Sequence, residues 1–148
     1  MKISISIILI ALLSFLCSNA GHAQKDKLDH VRVEFEGFQT ETVVDVSCDA
    51  FNSTFKDTKK VKVFNDEHDL SILRLLTKEF TPYSKNRSLD VRGTIVYDYG
   101  ETTIRYCFDT FGNFYKDGKL YYNKKLLIYI SDKIYANHPK YLDTLHYQ

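Results

Sequence analysis

Apolar and polar residues alternate with a period of two along several stretches of the chain, the pattern of a strand with one buried face. Between Leu89 and Tyr97, an extended backbone puts Leu89, Val91, Ile95 and Tyr97 on one side and Asp90, Arg92 and Thr94 on the other, with Asp98 following on that polar side. Ile104, Tyr106 and Phe108 then alternate with Thr103, Arg105 and Asp109. Asp98-Tyr99-Gly100-Glu101 between them reads as a turn, with Gly100 able to take positive φ. Asp117-Gly118 is a stronger turn signal, because a type I′ turn needs positive φ at both central residues. It pairs Phe114-Tyr115-Lys116 with Lys119-Leu120-Tyr121, and the whole reads as a meander. Upstream, Val31 to Glu36 predicts a strand, as does Thr42 to Phe51 with Val44, Val46 and Cys48 facing one way. Val61 to Phe64 predicts a short strand, and Tyr83 to Arg87 a polar loop.

The period changes to that of a helix after Asn65 or Asp66. Leu70, Leu73, Leu76 and Phe80, widened by Ile72, form an apolar stripe, and Asp66, Glu67 and Asp69 occupy the first turn, where acids oppose the helix dipole favourably. Pro82 ends it. A second helix starts at a cap on Asn123, carries Leu126, Leu127, Ile130 and Ile134 on one face, and stops by Asn137 and Pro139. Tyr141, Leu142 and Leu145 are either a further helical turn or a frayed tail. Strand runs separated by helices predict an α+β fold: an antiparallel sheet of hairpins with two helices packed on one face, in a single two-layer domain.

Residues 1–23 read differently. Lys2, an apolar run from Ile3 to Leu16 and a small-residue site predict a secretory leader cleaved after Ala23 or Ala20, leaving residues 24–148 as one domain with no membrane span. Acylation of Cys17 is disfavoured by Leu16, where that chemistry wants a small side chain. The leader removes one of 20 Lys and Arg and none of 19 Asp and Glu, so the remaining chain is balanced at 19 of each. Balance argues against nucleic acid or an anionic membrane as the partner. The basic cluster Lys56, Lys59, Lys60 and Lys62 reads as a solvated strand edge.

Export leaves Cys48 and Cys107, and two cysteines in an exported chain predict one disulfide. The predicted faces conflict, since Cys48 shares a side with Val44 and Val46, and Cys107 with Thr103 and Arg105. A bulge or a bridge between layers would reconcile them.

Catalytic chemistry has little support. His30, His68, His138 and His146 stand in no metal-ligand spacing, no Gly-x-Ser-x-Gly elbow or phosphate loop is present, and no cofactor is implied. Asp66-Glu67-His68-Asp69 reads as a capped first turn rather than a proton-transfer site. Asn52-Ser53-Thr54 and Asn86-Arg87-Ser88 match the N-glycosylation pattern. The chain is rich in aromatics, with 11 Tyr and 10 Phe but no Trp. Tyr99, Phe111, Tyr115, Tyr121 and Tyr122 fall at turns or strand ends and are the candidate binding residues, because exposed Tyr offers amphipathic contact area at low entropic cost. The expectation is therefore a small exported, periplasmic or secreted, non-enzymatic domain. It would engage another protein, in the manner of an inhibitor or immunity protein, or an envelope ligand. The alternatives are a secreted enzyme with a site assembled from dispersed residues such as Asp66, His68, Asp90 and Arg92, and a structural envelope component.

Overall fold

Residues 27–84 and 88–135 are described by the computed structural model. The expected leader, Cys17, Asn86 and the C-terminal Tyr141, Leu142 and Leu145 lie outside them. In chain order the elements are β1 (His30–Phe35), α1 (Phe51–Thr54), β2 (Lys60–Phe64), α2 (Glu67–Thr77), β3 (Thr81–Tyr83), β4 (Gly93–Asp98), β5 (Thr103–Phe108), β6 (Asn113–Lys116), β7 (Lys119–Tyr122) and α3 (Lys124–Ile134). The strands make one seven-stranded sheet, ordered β2-β1-β4-β5-β6-β7-β3 and antiparallel throughout. Strands β4 to β7 are the expected meander, and the fold is α+β.

The two long helices lie on one side of this sheet, the front. Val31, Val33, Phe35, Ile95, Tyr97, Phe108 and Phe114 meet Leu73 of α2 and Leu126, Leu127 and Ile130 of α3 in one core. Each fully buried aliphatic or aromatic side chain here contributes ~1.5–3 kcal/mol. Asp66 caps α2 by accepting from the amides of His68 (2.9 Å) and Asp69 (3.3 Å), and Asn123 caps α3 by accepting from that of Leu126 (2.9 Å). Asp117 at φ 49° and Gly118 at φ 77° supply the two positive angles of the predicted tight turn.

Two expectations fail, for related reasons. Residues 42–50 are not a strand: Val43 and Val44 are exposed, and the segment runs irregularly into the four-residue α1. Ser47 competes with any ladder, its Oγ accepting from the amide of Ala50 (3.2 Å) and its carbonyl from that of Phe51 (3.0 Å). The β4 strand also starts later than the alternation implied. The amide of Arg92 donates to the carbonyl of Phe108 (2.9 Å), although Gly93 is the residue paired with Phe108. Two residues thus oppose one, as in a β-bulge, and the side chains before and after it face opposite ways. Val91 and Leu89 consequently leave the face of Ile95 and Tyr97 and join a second cluster with Val46, Phe51, Phe55 and Cys107.

That second cluster lies on the back of the sheet, because Cys107 alternates with the core residues Tyr106 and Phe108. The segment between β1 and β2 crosses the back there and is pinned by the Cys48–Cys107 disulfide, with a Cα–Cα distance of 5.7 Å. The bridge joins layers, which removes the conflict of faces. A third departure is β3. Thr81-Pro82-Tyr83, read as the end of a helix and the start of a loop, pairs with β7 as an edge strand. Proline is tolerated at an edge, where one side of the strand has no neighbour to bond.

Candidate functional site

The five candidate aromatics do not form one surface. Tyr121 and Tyr99 are half-buried and pack against the front core, Tyr121 with its ring centroid 5.5 Å from Phe80 and 6.3 Å from Tyr106. Phe111 sits 50% exposed in the β5–β6 turn. Asp109 shapes that turn, its Oδ1 accepting from the amides of Phe111 (2.8 Å) and Asn113 (2.9 Å), and its Oδ2 from the Asn113 side chain (2.6 Å). Tyr122 lies beside the same turn and is 40% exposed. Tyr115 stands in mid-strand, on the back.

The register shows what Tyr115 belongs to. Tyr83 of β3 is opposite Leu120 of β7, Leu120 opposite Tyr115 of β6, and Tyr115 opposite Cys107 of β5. These four residues form one row across the back face. Tyr122 stands on that same side, two residues on from Leu120. The disulfide marks where the covering segment ends. Cys107 is fully buried beneath it, whereas Tyr115, Leu120 and Tyr83 are partly open and Tyr122 is exposed. Sequence reasoning missed Tyr83 and Leu120. Leu120 was accessible through its alternation with Tyr121, but Tyr83 had no signal once Pro82 was read as the start of a loop.

The dispersed enzyme residues do not converge on one site: Asp90 and Arg92 pair with each other on the back, while Asp66 and His68 lie at the start of α2. Asp66 and His68 open α2 on the front, exposed to solvent. Arg92 is buried on the back, where its guanidinium grips Asp90 through both nitrogens (2.6 and 2.7 Å) and donates to Thr42 Oγ1 (2.9 Å). It also lies 5.7 Å from the centre of the Phe55 ring. Asp90 Oδ1 accepts as well from the amide of Val46 (3.0 Å), so the pair holds the crossing segment down. Two further acids have structural partners. Burial alone would raise Glu36, but hydrogen bonds from Thr58, the Gly37 amide and Thr40, with the charge of Lys60, hold it below the usual carboxylate range. Asp69 is held low first by the Lys133 ammonium and then by the Tyr129 hydroxyl, against the opposing effect of burial. Burial pushes the Tyr129 phenol up, helped by its bond to Asp69, and burial likewise pushes up Tyr97, whose hydroxyl is bonded to that of Thr77 at 2.5 Å.

Of the basic cluster, Lys59 is consumed internally by Glu34 (2.6 Å) and Asn52 (2.7 Å), while Lys60 and Lys62 line the edge strand β2. Among the described residues no group of three or more His, Cys, Asp or Glu is placed to hold a metal ion, and no helix is long and apolar enough to cross a membrane. Fold and surface together define a small disulfide-bonded α+β domain whose sheet, among the described residues, is covered on the front and partly bare on the back. Compared with family models, curated proteins and solved structures, the chain matches none.

Proposed function

We propose that this is a small exported, non-enzymatic domain that binds another protein through the bare part of its sheet. The observation that carries the reading is the row Tyr83, Leu120 and Tyr115, with Tyr122 beside it, left uncovered where the disulfide-pinned segment stops. Tyrosines on a flat, rigid strand surface lose little entropy on docking and supply both ring area and a hydroxyl. Strands hold these side chains at fixed spacing, so the surface is organised before a partner arrives. Export is supported by the leader-like pattern of residues 1–23 and by the disulfide.

The test uses the oxidised protein and a Tyr115→Ala/Tyr122→Ala variant, each immobilised and exposed to envelope extract of the source cells. Both side chains are outside the core, so circular dichroism and melting temperature should stay near those of the parent. A partner recovered by the parent should be lost from the variant. Equal recovery by a folded variant overturns the reading.

A further inference from the structure

Against the bare strip the chain leaves a cavity of about 370 Å³. Three separate segments wall it: Asp45, Cys48 and Asp49 from the crossing segment, Leu89 ahead of β4, and Tyr115 and Leu120 from the β6–β7 hairpin. Leu89, Leu120 and the disulfide give it an apolar lining, and Tyr115 contributes an aromatic ring. Its charge is one-sided, with two carboxylates and no cation among the described residues that line it. Asp45 is held in place by the Ser88 hydroxyl, which donates to Oδ2 at 2.5 Å. The ion pairs formed by Lys and Arg among the described residues engage other acids: Glu34, Asp69, Glu79, Asp90 and Asp117.

A recess that is part apolar and part polar, with an aromatic wall and carboxylates, matches a side chain made of a methylene stem and a cationic head. A guanidinium fits better than an ammonium. It is planar, so it stacks on a tyrosine ring, its fork matches a carboxylate, and it is less strongly hydrated. We propose that this cavity receives an arginine side chain of the protein partner, its stem against Leu120 and Leu89 and its guanidinium between Tyr115 and the carboxylates of Asp45 and Asp49. The inference rests on the protein-binding reading above and specifies what the partner inserts.

Four blocked pentapeptides serve as probes: acetyl-Gly-Gly-X-Gly-Gly-amide with X as Arg, Lys, citrulline or Glu. They are titrated into the oxidised protein while the amide signals of Tyr115, Gly118 and Leu120 are followed by NMR. A single side chain should bind in the millimolar range. The Arg peptide should shift those three signals. Citrulline, which keeps the shape of arginine without its charge, should bind ~10-fold more weakly, and the Glu peptide should leave the signals unmoved. Lys should fall between Arg and citrulline. An Asp45→Asn/Asp49→Asn variant should weaken the Arg peptide by ~10-fold or more. Equal binding of Arg and citrulline, or an unchanged affinity in the variant, overturns the proposal, and the citrulline comparison needs no altered protein. Partner capture separates this inference from the one beneath it. If the tyrosine variant loses the partner while the Asp45→Asn/Asp49→Asn variant keeps it at full strength, the binding face stands and the arginine site falls. If the tyrosine variant also keeps the partner, both fall.

Discussion

Asp69 makes two polar links between the two long helices. Its Oδ1 accepts from the Tyr129 hydroxyl at 2.6 Å and from the Lys133 ammonium at 2.7 Å, both across the gap between α2 and α3. Its side chain is 18% exposed, so the attraction is only partly screened by water. These bonds favour the ionised acid, which is why its pKa is lowered. The sign of the linkage follows. A carboxyl depressed in the folded state adds stability that is complete above its unfolded value, ~3.9, and is lost as pH falls through the lower folded value. An Asp69→Asn variant should therefore be less stable than the parent by about 1 kcal/mol at neutral pH. Urea unfolding across pH should show that gap constant above about pH 5 and closing below about pH 4. A gap that stays constant into acid would refute this role for the carboxylate. Gly93 shows the opposite constraint, one of space. Three carbons of the Phe108 ring lie within 2.8 Å of where a Cβ would stand, so only glycine lets that ring fold across its strand neighbour.

Among the elements, α3 is anchored by more than its own cap. Asn123 is buried and uses three groups: Oδ1 accepts from the Leu126 amide (2.9 Å), Nδ2 donates to the Leu76 carbonyl at the end of α2 (2.7 Å), and its own amide donates to the Gly112 carbonyl (2.8 Å). A lost cap costs about 1 kcal/mol, and loss of the hydrogen bond to the part-buried Leu76 carbonyl, which keeps the Glu79 amide at 3.0 Å, adds a similar amount. Asn123→Ala should thus destabilise by about 2 kcal/mol. Asp is as good a cap as Asn in an ordinary helix. Here Asn123→Asp should be no better than Ala, because it turns a donor into a second acceptor facing a carbonyl. Thermal melts of both variants decide it, and a stable Asp variant would show that the contact to Leu76 contributes nothing. The sheet edges follow a different logic. β3 is three residues long and carries Pro82, and β2 presents Lys60 and Lys62, both features that discourage pairing with another chain.

Over the whole molecule, the disulfide decides how much of the sheet is covered. It closes a loop spanning 59 residues of sequence separation and holds the crossing segment on the back. In the chain-entropy model such a loop is worth ~4 kcal/mol, with native strain reducing it. A Cys48→Ser/Cys107→Ser variant should unfold at lower urea by about that amount or somewhat less. Hydrogen exchange should also rise first at residues 45–55, whose apolar anchors Val46, Phe51 and Phe55 form a cluster separate from the main core. Uniform loss of protection across β1, β4 and β5 as well would show that the two clusters are one cooperative unit.

Much of this architecture could be read locally. The β4–β7 meander, the turn at Asp117-Gly118 and both long helices with their caps rest on interactions within a few residues, and their signals are periodicity and turn chemistry. The pairing of Cys48 with Cys107 followed from the expected compartment and from the count. The path of residues 42–50, the reversal at Arg92-Gly93 and the strand at Pro82 were not legible, because each depends on partners tens of residues away: Asp90 for Val46, Phe108 for Arg92, Tyr122 to Leu120 for β3. The bare strip was legible only as an excess of aromatics. Whether a given tyrosine is buried or bare depends on which layer lies over it, and a strand's alternation states that two faces exist without saying what covers either. Short-range chemistry thus set the elements, and long-range packing chose which side of the sheet remained open.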